Sequence, residues 1–232
     1  MKKRIGMLTS GGDCQALNAA MRGVVKGLCS NLDDVEIFGF DDGYKGLIYS
    51  KYRMLGSSDF SGILTRGGTI LGSSRQPFKL MRVPDENGLD KVEGMKHTYY
   101  KLGLDCLVIL GGNGTHKTAN LLREEGLNIV TLPKTIDNDL NGTDHCPGFA
   151  SAAKFIATTC MEVHRDAHVY DTGMVTVIEI MGRHAGWLAG SAALATWAGF
   201  GPDLVYLPEV DFDMSKFISD VKEIYSKTGK CM

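Results

Sequence analysis

The chain has 232 residues, 44% of them apolar, and a formal net charge of −2. That length suits one large domain or two small ones, and the near-neutral balance excludes the strongly basic face that signals nucleic acid. No apolar run is long enough to span a bilayer, and the stretch after Met1–Arg4 is too short for the apolar core of a signal peptide.

In chain order, Arg4 to Leu8 predicts a first strand and Leu17 to Leu28 a helix with Ala, Met and Val on its inner face. Val35 to Phe40 predicts a second strand, Lys91 to Leu102 a helix, and Cys106 to Leu110 a fully apolar strand. Thr115 to Glu125 is helical, Ile129 to Leu132 a strand, Phe149 to His168 a long helix and Met174 to Ile180 a strand. Ala185 to Thr196 predicts a small-residue helix, Leu204 to Leu207 a strand and Met214 to Tyr225 an amphipathic helix. Strands alternating with helices argue for an α/β fold, with doubly wound parallel sheets covered on both faces. A boundary is expected near Pro147–Gly148, giving domains 1–147 and 148–232. Six scattered cysteines without a C-x-x-C pair read as free thiols of a reducing compartment, so a cytoplasmic protein is expected.

Four unusual segments each follow a predicted strand, where open α/β sheets place their ligands. Thr9–Asp13 and Gly111–Thr115 are Gly-rich turns between a strand and a helix start. Either could be a tight turn or a phosphate cradle, since glycine lets the backbone approach an anion and a helix start offers free N–H groups. Two such turns at one sheet edge favour a polyphosphate site. Neither is a Walker A loop. In Pro133–Asp139, Asp137 and Asp139 flank Asn138 beside Lys134 and Thr135. One carboxylate could accept a proton from a hydroxyl and another support Mg²⁺, though an Asx-rich turn fits as well. In Met181–Trp187, Arg183 could grip a phosphate or simply pair locally. His164 and His168 share a helix face without an evident third metal ligand, and Cys14 reads as a small residue filling a turn.

Taken together, Leu8–Asp13, Asn18–Gly23, Asp42–Leu47, Arg66–Arg75, Gly111–Gly114, Thr135–Asp139 and Ile180–Arg183 resemble the phosphofructokinase family. Gly-Gly-x-Gly alone also occurs in NAD and lipid kinases, whereas Thr-Ile-Asp-Asn-Asp followed by Met-Gly-Arg is far more specific. The resemblance implies phosphoryl transfer from ATP or pyrophosphate to the 1-hydroxyl of fructose 6-phosphate, with Mg²⁺. Asp137 would be the base, assisted by Arg183. Thr135, Ile136, Asp137, Met181, Gly182 and Arg183 would meet the sugar phosphate or the moving phosphoryl group. Gly12, Arg75, Gln76, Gly112, Asn113, Gly114 and Thr115 would surround the donor, and Asn113 and Asp139 would serve the metal.

The chain departs from the family pattern in three respects. Asn113 stands where the family usually has a metal-binding Asp, and an amide oxygen brings no charge. Gly114 resembles ATP-using members, while Lys134 resembles pyrophosphate-using ones; steric exclusion favours ATP. Thr228–Gly229 closes the last helix, where another strand should follow, so an incomplete second domain is expected. Many members carry an Arg near Met174 that reaches a neighbouring subunit, and this chain has none. A homo-oligomer is implied for the full-length form, and a non-catalytic nucleotide-binding fragment stays open beside the enzyme.

Overall fold

A parallel strand covered on both faces must be apolar or small along its length. The first strand, β1 (Lys3–Ser10), meets that demand: every residue from Ile5 to Ser10 is buried. The structure, a computed structural model, describes residues 2–232 and divides into two units, one up to Thr135 and one from Ile136 to Met232.

In the first unit β1 lies between β2 (Val35–Phe40) and β4 (Cys106–Gly111). The five-stranded sheet has the order β3-β2-β1-β4-β5, with β3 at Tyr52–Leu55 and β5 at Ile129–Pro133. All pairs are parallel except β2 with β3, whose antiparallel edge and preceding short helix α2 (Tyr44–Ile48) the sequence pattern did not announce. Helix α1 (Leu17–Asn31) carries the chain outward from β1 to β2, whereas α3 (Lys91–Lys101) precedes β4 on the other side of β1. Right-handed crossovers in opposite directions put helices on opposite faces, which makes the sheet doubly wound with its switch point between β1 and β4. Helix α4 (Asn113–Glu124) joins β4 to β5.

A continuous core lies against one face of this sheet. Leu8, Phe40, Leu107 and Ile109 from the sheet pack with Tyr44, Leu47, Met95 and Leu122 from the helices, and each is 1% exposed or less.

The second unit holds α5 (Phe149–Val169), β6 (Met174–Val175), α6 (Trp187–Ser191), α7 (Met214–Thr228) and β7 (Lys230–Cys231). Its sheet is the parallel pair β6 and β7. Here three expectations are corrected. The strand expected over Met174 to Ile180 stops at Val175, and Leu204 to Leu207 is not a strand. Ladder bonds need a neighbour in register, and beyond Thr176, which donates to the Cys231 carbonyl at 2.8 Å, that neighbour is lacking among the described residues. The helix expected over Ala185 to Thr196 splits into α6 and a 3-10 segment, Ala192–Ala198. The strand expected after Gly229 does begin, as β7.

The division after Thr135 precedes the boundary read at Pro147–Gly148. The polar loop after Ile136 is tied by Asn138 to Asp144 and Cys146, close to the start of α5, and therefore goes with the second unit.

Candidate functional site

Strand register sets the site of the first unit. Ser10 pairs with Gly111, and Gly111 with Pro133, so the three strands end level. The residues that follow, Gly11, Gly112 and Lys134, therefore emerge side by side at the carboxyl edge, on both sides of the switch point. Gly112 is the N-cap of α4, whose first turn holds Asn113, Gly114 and Thr115. Backbone N–H groups of a first turn have no intrahelical acceptor, and they carry the positive end of the helix dipole.

The glycines answer to close packing. A Cβ on Gly111 would lie 2.4 to 2.5 Å from the Thr115 side chain, and Gly11 has φ +90. Around Gly114, by contrast, an added Cβ meets nothing within 4 Å. Thr115 is buried, with its hydroxyl donating to the Ser10 carbonyl at 3.3 Å and its own carbonyl accepting from Tyr44 Oη at 2.8 Å. It braces the turn, and burial pushes the Tyr44 phenol well above its ordinary range. Lys134, 5% exposed, donates its ammonium to the Gly12 carbonyl, joining the end of β5 to the first Gly-rich turn.

A cleft of about 610 Å³ opens here, lined in part by Gly11, Gly12, Asp13, Arg66, Ser74 and Arg75. Arg75 is exposed and Gln76 half-buried. The loop bearing Arg75 is held by backbone and hydroxyl bonds: Gly11 N–H donates to the Ser74 carbonyl at 3.2 Å, and the Ser73 hydroxyl to the Gly11 carbonyl at 2.6 Å. Cys14, behind the turn, is buried, and burial is the main force raising its thiol pKa despite the nearby Lys134 and the Ala16 N–H. That is a packing cysteine, as expected.

Two asparagines escaped the sequence reading as site residues. Asn18, 1% exposed, accepts from Ile70 N–H at 2.8 Å and donates to the carbonyls of Arg66 and Gly67 at 3.0 and 3.2 Å. It fixes the 66–70 wall of the cleft. Asn138 has the equivalent duty in the second unit. The available signal was a polar residue at a core-facing helix position, and an Asn poised to adopt the left-handed region between two acids.

In the second unit Ile136 and Asp137 are half-buried and Asp139 is exposed; Thr135, half-buried, ends the first unit. Met181, Gly182 and Arg183 come together in one cleft of about 520 Å³, with Tyr206, Pro208 and Asp211 among its walls. The turn that forms it is forced: Gly182 has φ +139, a Cβ there would sit 2.3 Å from the Ala185 carbonyl, and Ala185 N–H bonds back to the Gly182 carbonyl at 2.9 Å. Arg183 follows with φ 52, a left-handed conformation that a long side chain adopts at a cost of about 1–2 kcal/mol. Below the turn, Gly186 N–H donates to Glu209 Oε1 at 2.6 Å. His164 and His168 stack face to face, centroids 4.1 Å apart and 15° from parallel, and His168 Nδ1 is engaged with the His164 carbonyl. Among the described residues no cluster of three or more His, Cys, Asp or Glu side chains is arranged to hold a metal ion. No helix among them is long and apolar enough to cross a membrane.

Comparison with known proteins matches residues 4–232 to the phosphofructokinase family profile. An ATP-dependent 6-phosphofructokinase of Spirochaeta thermophila is 49% identical over 223 residues, covering 93% of this chain and 58% of that protein. A pyrophosphate–fructose 6-phosphate 1-phosphotransferase of Amycolatopsis mediterranei is 38% identical over 231 residues, covering 99% of this chain and 66% of that protein. Among solved structures, the pyrophosphate-dependent phosphofructokinase of Nitrosospira multiformis superposes with a TM-score of 0.86 at 27% identity, covering 100% of this chain and 59% of the other. The chain thus spans about three fifths of the length of such relatives.

Proposed function

This chain belongs to the phosphofructokinase family, and on that premise we propose that it transfers a phosphoryl group from ATP to the 1-hydroxyl of fructose 6-phosphate. One observation carries the reading: two Gly-rich turns end level across the switch point, the second opening the first turn of α4 and the first sharing a cleft with Arg75. Backbone N–H groups, a helix dipole and a guanidinium are what a chain of phosphates binds. Phosphoryl transfer asks little covalent chemistry of the protein and is mostly positioning and neutralisation of charge.

In this scheme Gly12, Arg75, Gln76, Gly112, Asn113, Gly114 and Thr115 hold the donor. Thr135, Ile136, Asp137, Met181, Gly182 and Arg183 serve the sugar phosphate. Asp137 takes the proton of the attacking hydroxyl, and Arg183 offsets charge on the moving group. Asn113 and Asp139 are both exposed hard-oxygen donors, which fits Mg²⁺, an ion held by one or two protein oxygens with phosphate and water supplying the rest. When bound, Mg²⁺ neutralises charge on the donor phosphates.

Pyrophosphate is the rival donor, favoured by the character of Lys134 and by the Amycolatopsis relative. Two features support ATP instead. The space about Gly114 is open, as a nucleotide requires, and the Lys134 ammonium is buried and bonded to the Gly12 carbonyl, where it does structural work. The test is formation of fructose 1,6-bisphosphate with Mg²⁺ and each donor in parallel. ATP is expected to be used. Product with pyrophosphate alone overturns the donor assignment. ATP binding without product from either donor makes the chain a non-catalytic nucleotide-binding piece.

A further inference from the structure

Asn138 stands between the two carboxylates of the acceptor segment, and its conformation is unusual twice over. Its φ is 57, in the left-handed region that Asn tolerates better than most side chains. It is also 6% exposed, rare for an amide unless both ends are bonded. Both are. Oδ1 accepts from Cys146 N–H at 2.7 Å, and Nδ2 donates to the Asp144 carbonyl at 3.0 Å. Because one partner can only donate and the other only accept, the orientation of the amide is fixed. Cys146 is itself buried, and its carbonyl accepts from Phe149 N–H, the first residue of α5, at 3.1 Å. A continuous line of bonds therefore runs from the residue between Asp137 and Asp139 to the start of the longest helix.

We propose that Asn138 is the positioning residue of the acceptor segment: its amide closes the 138–146 loop onto the start of α5 and so fixes the backbone that carries Asp137 and Asp139. The proposal rests on the phosphofructokinase reading for its effect on turnover, and on the fold alone for its effect on the loop. Asn138 touches no reacting atom in this scheme. It acts by holding a base where a small displacement is costly.

Three variants separate the backbone conformation from the amide. Asn138→Gly adopts the same φ freely but lacks the amide, Asn138→Asp keeps an acceptor for Cys146, and Asn138→Ala loses both features. Amide hydrogen exchange at Cys146 in the whole chain is expected to rise about tenfold in the Ala and Gly variants, the weight of one buried hydrogen bond, and to rise less in the Asp variant, which keeps the acceptor for Cys146 but loses the donor to the Asp144 carbonyl. Turnover is expected to fall about 10²-fold in Ala and Gly with donor KM unchanged, and to recover in part in Asp. Should the Ala variant fail to fold, the Gly and Asp pair gives the same contrast. Wild-type turnover in the Gly variant overturns the proposal, since backbone conformation alone would then suffice. Unchanged Cys146 exchange in that variant overturns it too. If the wild-type chain makes no product with either donor, the phosphofructokinase reading fails separately, and Cys146 exchange still decides whether Asn138 fixes the loop.

Discussion

Leu107 to Leu110 and Val177 to Ile180, the second interrupted by Glu179, are β-forming apolar stretches that meet different fates. The first, in β4 between β1 and β5, is 0 to 6% exposed. In the second, Val177 is 74% exposed and the segment forms no ladder among the described residues. The contrast extends to the units that contain them. In the first, a large core joins one sheet face to α2, α3 and α4, and α1 buries Leu17, Met21 and Val25 besides. In the second, Cys160, Ala192, Ala195 and Met232 form a small cluster, α7 contributes no fully buried residue, and Phe155 and Trp197 are 71% and 93% exposed. Apolar sequence supplies the drive to be covered; a partner in register is what turns it into a buried strand.

The largest expected effect asks whether the less-covered unit nonetheless carries chemistry. Asp137→Asn should lower turnover by roughly 10²–10⁴, the usual loss with a general base, in a steady-state assay of fructose 1,6-bisphosphate. Near wild-type turnover would leave the second unit without the role assigned to it.

Next comes stability. Ile109→Ala, in the core of the first unit, should cost about 2–5 kcal/mol in denaturant unfolding, through lost burial and the cavity left behind. Trp197→Ser, in the second, should change stability by about 0.5 kcal/mol or less despite removing a much larger side chain. Equal losses would erase the contrast between the units.

A smaller effect sharpens the donor site. With nothing within 4 Å of the added methyl, Gly114→Ala should stabilise α4 by about 0.5 kcal/mol. It should at the same time depress ATP-dependent turnover more than any pyrophosphate-dependent turnover, which parallel assays of the two donors would reveal.

The smallest effect lies in the second unit. Burial, with the neighbouring His168, holds the His164 imidazole below its ordinary pKa, and Asp203 opposes this only in part. The unfolded chain then binds the proton more readily than the folded one. The stability so gained is complete above about pH 6.5 and is lost as pH falls through the window below it. Melting temperatures between about pH 5 and pH 7.5 should fall less steeply on the acid side for His164→Gln than for wild type.

Much of this protein was legible in the chain itself. Alternating apolar runs and helical periods set the doubly wound α/β class, because burial on both faces demands them. Gly-Gly-Asp and Gly-Gly-Asn-Gly marked the turns at the ends of β1 and β4, and Met-Gly-Arg a turn beyond β6, since at Gly11, Gly111 and Gly182 only glycine reaches the conformation or tolerates the contact. Other features belong to the tertiary structure alone. The level ends of β1, β4 and β5 depend on register between separate segments, β1 and β4 being about a hundred residues apart, which no local pattern encodes. So do the antiparallel edge at β3, the bond from Lys134 to Gly12, and the clamps made by Asn18 and Asn138. In each case the deciding partner is a backbone group brought near by the fold, and a backbone N–H or carbonyl has no signature in sequence. The failed strands of the second unit follow the same rule: their residues announced a strand, but pairing is a property of two segments, never of one.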